Sequence, residues 1–172
     1  MKKYIFFCMA FAIALAGCKT KGGTKTTESN IKLPYTATYT TDFTNNVSDS
    51  DLLVVLNSYK AWESGDMNAL RSTMADSTYL DAADGFKFAG LTDSLMKEWK
   101  TMRDSLSSVK ISMEVWLKNH SLKDGHDYIN VWYKEIDTYK TGKVDSANYE
   151  DDNGIKNGKI IWFSSHKQKL KL

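Results

Sequence analysis

Residues 58–66, SYKAWESGD, determine how the folded part of this chain begins. Gly65 supplies the left-handed residue that ends one helix, and Asp66 supplies the N-cap of the next. The first helix is predicted to begin with Ser48 as its N-cap. Trp62 widens the apolar stripe of this helix to the breadth of a core-facing surface. The sequence therefore predicts two helices that meet at a tight corner.

Downstream of this corner, the hydrophobic pattern changes from a helical to a strand period. A short strand near Tyr79 leads to a third helix, for which Thr92 is the predicted N-cap and Trp99 lies on the apolar stripe. Beyond Ser108 the period becomes 2, and Asn-Gly at 157–158 marks a hairpin turn before the last strand. Three helices followed by a long antiparallel meander predict an α+β domain.

The first strand of the meander contains one residue that breaks its pattern. Between residues 109 and 118, apolar residues that include Val115 and Leu117 alternate with polar ones. Trp116 falls among the polar residues. We therefore expect Trp116 to be exposed, to contact a partner or to line the opening of a cavity.

The N-terminus resembles the signal peptide of bacterial lipoproteins. Lys2 and Lys3 precede a short apolar run, which ends in Leu-Ala-Gly and then Cys18. The run is shorter than the about 20 residues that cross a bilayer. The resemblance implies removal of residues 1–17 and attachment of lipid to Cys18, so the membrane is one expected partner. In enteric bacteria an aspartate after the lipidated cysteine typically marks retention in the inner membrane. Lys19 stands at that position here, so we expect a cell-envelope protein at the outer membrane.

Residues 18–46 are predicted to be a flexible tether, and residues 47–172 a single folded domain. The tether is rich in Thr, Lys, Gly, Asn and Ser, which bury too little apolar surface to fold. Tyr and Thr alternate in residues 35–43, which leaves open a strand or a segment that lies on the domain.

Charge and cysteine content exclude several classes of function. Lys2 and Lys3 account for the formal charge of +2, so the chain from Cys18 onward is near neutral. This balance is unlike the basic surface of a nucleic-acid-binding protein. The other cysteine, Cys8, would leave with the signal peptide, so no thiol would be left for a disulfide or a cysteine zinc site.

Three short segments resemble the nuclear transport factor 2-like superfamily, and within it the SnoaL-like group. They are YKAWESGD at 59–66, MAD at 74–76 and NGKI at 157–160. The resemblance covers roughly residues 49–169. It implies a cone-shaped α+β fold, with three N-terminal helices packed on a strongly bent antiparallel sheet and a pocket at the open end. The superfamily includes ketosteroid isomerases, polyketide cyclases, dehydratases and non-catalytic modules, so the fold alone fixes no reaction.

The isomerase residues do not transfer to this chain. The resemblance puts Ala82 where the isomerases have their proton-transferring aspartate, and Ser58 where they have a helix tyrosine. Asp81 and Tyr59 are each one residue away, which predicts a different face of the strand or helix. Isomerase chemistry is therefore not expected.

A cyclase or dehydratase would need a base near neutral pH, such as a histidine paired with a carboxylate. His126 falls in a predicted turn and His166 in a lysine-rich tail. His120 ends a strand and could meet Asp81 or Glu135 in the pocket. These three residues are the catalytic candidates of the sequence.

The segment 145–153 is rich in acidic residues but is not predicted to be a metal site. Asp145 and the segment EDDN at 150–153 are typical of calcium ligands, but their spacing does not fit a helix-loop-helix calcium site. We expect a solvated hairpin end, and neither a metal nor a cofactor is predicted.

The sequence therefore favours non-catalytic binding of a small apolar ligand in the pocket. An enzyme of the SnoaL-like type, and a dimerisation or scaffold module of an envelope complex, are the alternatives. Aromatic side chains on the predicted helices and strands are the candidates for a pocket or a homodimer interface: Tyr59, Trp62, Tyr79, Trp99, Trp116, Trp132 and Trp162.

Overall fold

The computed structural model describes residues 34–170. The predicted signal peptide at 1–17, Cys18 and the tether up to residue 33 lie outside the described residues. Within them, the chain from Ala37 onward forms one compact unit. None of the helices in this part is long and apolar enough to cross a membrane.

Three helices and seven strands make up this unit. In chain order they are β1 (Phe43–Thr44), α1 (Asp49–Ser64), α2 (Met67–Thr73), β2 (Met74–Asp81), β3 (Lys87–Leu91), α3 (Thr92–Asp104), β4 (Leu106–Ser121), β5 (Asp127–Tyr139), β6 (Val144–Lys156) and β7 (Lys159–Lys169). The strands form a single sheet in the order β1-β4-β5-β6-β7-β2-β3.

This architecture confirms the α+β class and corrects two details of it. Two strands, β2 and β3, separate α2 from α3, so the three helices do not form one N-terminal block, and the strand predicted near Tyr79 is part of β2. The sheet is not wholly antiparallel, because β2 pairs in parallel with β7. Both differences have one cause. The segment after α2 turns into the sheet and pairs with the distant C-terminal strand, a contact that local periodicity does not encode.

The helix corner forms as the sequence predicts. The Ser48 side chain accepts a hydrogen bond of 3.0 Å from the backbone N–H of Asp51, and Gly65 has φ 79°. The Asp66 side chain accepts from the N–H of Ala69 at 2.9 Å. These groups satisfy backbone donors and carbonyls that helix ends otherwise leave unpaired.

The prediction that Thr92 caps α3 is wrong. The N-cap is Leu91, which forms no side-chain hydrogen bond. Thr92 is wholly buried, and its hydroxyl lies 2.7 Å from that of Thr78 and donates to the carbonyl of Ala75 at 2.5 Å. Its hydroxyl therefore joins α3 to β2 instead of capping the helix.

Arg103 fixes the end of α1 against α3. Its Nε donates to the carbonyl of Trp62 at 2.9 Å, and its Nη2 donates to that of Glu63 at 3.0 Å. These charge-assisted bonds satisfy carbonyls at the C-terminal end of the helix. As a result, the rings of Trp62 and Trp99 meet edge to face with 6.5 Å between their centroids.

A β-bulge at Glu114 changes which side chains of β4 face the core. Met113 pairs with Tyr133, but Val115 pairs with the preceding residue of β5, Trp132. Because a strand alternates its faces with period 2, one extra residue reverses the alternation.

The reversal overturns the predicted orientation of the second half of β4. Ile111 and Met113 pack against the core. Val115 and Leu117, which the alternation placed inside, are exposed. Trp116 is 46 % exposed, as expected, although its neighbours on both sides are now exposed as well.

The compact unit begins before the predicted boundary at residue 47. β1 pairs with β4 through Phe43 and Ser121, and the ring of Phe43 packs edge to face on Tyr128 at 6.5 Å. The Tyr39 hydroxyl donates to the carboxylate of Asp124. The last part of the predicted tether is therefore held by aromatic and polar contacts with the sheet.

Candidate functional site

A cavity of about 280 Å³ lies between helices α1 and α3 and the sheet face formed by β5, β6 and β7. This volume is near the ~300 Å³ lower end of ligand pockets. Its apolar and aromatic lining consists of Tyr59, Trp62, Leu70, Met74, Leu80, Ala82, Ala83, Trp99, Met102, Tyr133, Tyr149, Ile160 and Phe163. Six polar residues complete it: Ser58, Asp84, Glu135, Asn153, Ser165 and Lys167.

The aromatic walls consist of two groups of rings in contact. Trp99 packs edge to face on Phe163 at 6.4 Å, in addition to its contact with Trp62. Tyr133 stacks on Tyr149, with 5.2 Å between centroids and 10° between planes. Because these rings are held by one another, the walls of the cavity are rigid apolar surfaces.

A buried carboxylate, Asp151, lies behind one wall and joins the helix to the sheet. Asp151 is 0 % exposed, and its Oδ2 accepts hydrogen bonds of 2.8 Å from the hydroxyls of both Tyr59 and Tyr133. Burial raises the pKa of Asp151 to about 6, against the hydroxyl donors, which lower it. The hydroxyls of a helix residue and a strand residue thus converge on one carboxylate.

Asn153 extends this network to the cavity surface. Its Nδ2 donates to the Tyr59 hydroxyl at 3.3 Å and to the carbonyl of Ile129 at 3.2 Å. Asn153 lines the cavity although only 1 % of it is exposed. Its side chain therefore has the position of a group that orients a ligand.

Glu135 is a buried acidic residue of the cavity lining, and its pKa is raised. It is 8 % exposed, and burial raises its pKa to about 8, with further contributions from Asp137 and Asp151 and an opposing one from Lys167. Burial likewise raises the pKa of Asp137. Near neutral pH, Glu135 therefore holds its proton and can donate a hydrogen bond or exchange that proton.

The structure does not bring the three catalytic candidates together. Nδ1 of His120 lies 2.6 Å from the carboxylate of Asp127, and Asp81 forms an ion pair of 2.8 Å with Lys87. Among the three, only Glu135 lines the cavity. The predicted meeting of His120 with Asp81 or Glu135 is wrong, because the strand end that carries His120 pairs with Asp127 at the start of β5.

The aromatic candidates separate into two groups. Tyr59, Trp62 and Trp99 line the cavity. The others lie elsewhere on the sheet: Tyr79, Trp116, Trp132 and Trp162. Trp162 packs edge to face on Tyr128 at 6.1 Å. Trp116 is exposed, as are Val115 and Leu117 beside it. A homodimer interface at these residues stays a prediction.

Ser58 and Tyr59 both enter the cavity, although they were predicted to lie on different faces of the helix, and Tyr59 is confirmed as a pocket residue. The Tyr59 hydroxyl reaches β6. A tyrosine side chain spans enough distance to enter the cavity from a helix position about a quarter turn away. Asp81 does lie off the cavity, whereas Ala82 lines it.

Sequence reasoning missed Asp151 and Asn153, which it placed in a solvated hairpin end. Both lie inside β6, on its buried face. Glu150 and Asp152 point to the other face, since a strand alternates, so these oxygens do not converge on a metal. A signal was present, because residues 151 and 153 are two apart on a strand and therefore share a face. The turn at Asn157 and Gly158 does not decide which face, because a register shift between Gly154 and Ile155 intervenes.

No protein-family profile and no curated protein matches the sequence of this chain. A solved structure of an NTF2-like protein of unknown function from Burkholderia pseudomallei is similar, with 16 % identity over 71 % of this chain and 92 % of that one and a TM-score of 0.58. The fold is that of the nuclear transport factor 2-like proteins.

Two other proteins with this nuclear transport factor 2-like fold are similar at the same level. One is an LEH-like epoxide hydrolase from M. tuberculosis, at 8 % identity over 70 % of this chain and 84 % of that one, with a TM-score of 0.59. The other is a ketosteroid isomerase-like protein from Erwinia carotovora atroseptica, at 14 % identity over 72 % and 98 %, with a TM-score of 0.58. At such identities the likeness concerns the fold alone.

The raised pKa of Glu135 predicts how stability changes with pH. In the unfolded chain this group loses its proton near its ordinary pKa of 4.5, whereas in the folded protein it keeps the proton up to about pH 8. The folded state therefore binds more protons between these values, and its free energy of unfolding falls as pH rises through them, by at most about 1.4 kcal/mol per pH unit for one group.

Glu135→Gln is expected to make this fall shallower, as measured by urea unfolding between pH 5 and pH 8. Glu114→Gln, which alters an exposed carboxylate on β4, is the matched control and should leave the slope unchanged. Parallel curves for the wild type and Glu135→Gln would contradict the assignment.

Proposed function

We propose that this domain binds a small apolar molecule in the cavity between α1, α3 and the sheet, and that it does so without catalysing a reaction. The observation that carries the proposal is the set of rings in contact that walls the cavity, Trp62, Trp99, Phe163, Tyr133 and Tyr149. A largely apolar lining with a few convergent polar groups is typical of small-molecule sites.

The same proposal includes attachment to a membrane. By the resemblance of residues 1–18 to a lipoprotein signal peptide, lipid on Cys18 would hold the domain at the cell envelope, at the outer membrane. Each buried CH₂ of an acyl chain contributes about 0.8 kcal/mol, and more than one chain gives stable anchoring. A receptor held at a membrane surface would meet apolar molecules where they concentrate.

Removing one wall of the cavity should weaken binding of a neutral apolar fluorophore, N-phenyl-1-naphthylamine. We expect its fluorescence to rise on binding, and Trp99→Ala to raise the Kd about tenfold, because the contact area of one ring contributes roughly 1–3 kcal/mol. Trp116→Ala, outside the cavity, is the matched control and should leave the Kd unchanged. Equal Kd values for Trp99→Ala and wild type, with circular dichroism showing both folded, would refute the site.

The anchoring proposal predicts covalent lipid at a single residue. Cells that express the full chain and receive an alkyne-bearing palmitate should label the wild type and Cys8→Ser, and should not label Cys18→Ser. Cys8 is the matched control because it precedes the predicted cleavage site. Label retained in Cys18→Ser would overturn this part of the proposal.

Glu135 favours a second candidate function, which is proton transfer to or from a bound ligand. A carboxyl with a pKa of about 8 in an apolar cavity is suited to general acid–base chemistry. No histidine lines this cavity among residues 34–170, so the carboxyl would act without the pair that the sequence suggested.

Deuterium exchange separates the two candidates. If the site only binds, cyclohexanone in D₂O should gain deuterium beside its carbonyl at the rate in buffer alone, as followed by proton NMR. A faster rate that Glu135→Gln abolishes and Glu114→Gln does not would favour the enzyme.

A further inference from the structure

Two buried oxygens beside the cavity have no hydrogen-bond donor within bonding distance. Oδ1 of Asp151 and Oδ1 of Asn153 have no partner within the described chain. Both tyrosine hydroxyls already donate to Oδ2 of Asp151, and the amide N–H groups of Asn153 are used as well. Asn153 lines the cavity and Asp151 does not, so of these two oxygens only that of Asn153 could accept a hydrogen bond from a ligand.

The orientation of the Asn153 amide supports this count. If the amide were turned over, its oxygen would face the carbonyl of Ile129, and two acceptors would meet. In the orientation that fits its surroundings, Oδ1 of Asn153 is therefore the atom without a partner. An anionic ligand, or one with only carbonyl groups, would add further acceptors to a wall already short of donors.

The charges at the other end of this wall point to a cation. Glu135 lines the cavity, and no lysine, arginine or histidine of the described residues forms an ion pair with it. The ammonium of Lys167, which also lines the cavity, lies 3.6 Å from the carboxylate of Asp145. Arg103 donates to backbone carbonyls at the end of α1. Glu135, which keeps its proton near neutral pH, therefore becomes an unpaired charge only when it loses that proton.

Aromatic faces at the same end already hold one positive charge. Nζ of Lys167 lies 5.2 Å from the ring centroid of Tyr149, and Tyr149 lines the cavity. Rings attract cations through the negative potential of their faces, most strongly for tryptophan. Trp62 and Trp99 offer two such rings to a bound molecule.

The two ends of the wall are too far apart for one charged group to contact both. Glu135 pairs with Ala147 and Asn153 pairs with Ile129, so their positions lie six residues apart along β5. The charge of the ligand therefore lies at Glu135, and its apolar remainder lies along the rings. The oxygen of Asn153 takes no part in holding that charge.

We propose that the ligand of this cavity is an organic cation, a protonated amine on an apolar body, with its ammonium group at Glu135 and its body against Trp62 and Trp99. This inference rests on the proposed binding function and specifies its ligand class. A buried carboxylate next to an ammonium forms a charge-assisted hydrogen bond, while the rings supply the apolar contact.

Amine binding should depend on pH through Glu135. The titratable groups that face it are Tyr59 on α1, Tyr133 and Asp137 on β5, Tyr149 and Asp151 on β6, and Lys167 on β7. Because burial and its acidic neighbours raise the pKa of Glu135 to about 8, a cation that binds below this pH displaces a proton. The affinity should then rise up to about tenfold per pH unit from pH 6 to pH 8.

Three ligands of matched shape test the inference on the full-length protein by titration calorimetry. They are 2-phenylethylamine, 2-phenylethanol and 3-phenylpropanoate, which are cationic, neutral and anionic at pH 8. We expect the amine to bind at least tenfold more tightly than the alcohol, and the carboxylate to bind least. At pH 7 the amine alone should release a proton, seen as a dependence of the binding enthalpy on the buffer.

The variants assign the preference to one carboxyl group. Glu135→Gln should reduce the amine-to-alcohol ratio tenfold or more and leave the affinity for the alcohol unchanged, while Glu114→Gln should alter neither. A ratio near 1 in the wild type, or a ratio kept in Glu135→Gln, overturns the cation inference and leaves the binding site intact. Failure of all three ligands to bind overturns the proposed function as well.

Discussion

The site depends on a buried carboxylate that accepts two tyrosine hydroxyls from different elements. Asp151 on β6 receives Tyr59 from α1 and Tyr133 from β5, at 2.8 Å each. Hydrogen bonds to a charged group each contribute about 1.5–3 kcal/mol, and a buried charge without them costs several. The two bonds therefore fix the position of α1 over the sheet. The cavity lies beside them, between α1, α3 and strands β5 to β7.

The aromatic residues convert this spacing into a shaped surface. Arg103 holds α1 against α3, which brings Trp62 to Trp99, and Trp99 reaches Phe163 on β7. Edge-to-face contacts fix ring orientation as well as distance. These contacts set the orientation of the rings that wall the cavity.

The polar groups of the cavity give this surface its chemical preference. Asn153 presents an oxygen that has no hydrogen-bond donor within the described residues. Glu135 presents a buried carboxyl group with a raised pKa. A buried acid that keeps its proton near neutral pH lowers the stability of the folded protein as pH rises. A bound cation would offset that loss, so ligand binding and folding stability would be linked through one residue.

The sequence by itself determined the local features, which are the capped helix corner at Ser48, Gly65 and Asp66, the Asn-Gly hairpin and the α+β class. These follow from interactions between residues a few positions apart. Only the tertiary structure decided the parallel pairing of β2 with β7, the bulge at Glu114 and the meeting of Tyr59 with Asp151. Each of these depends on register between segments distant in the chain, where a shift of one residue exchanges the buried and exposed faces.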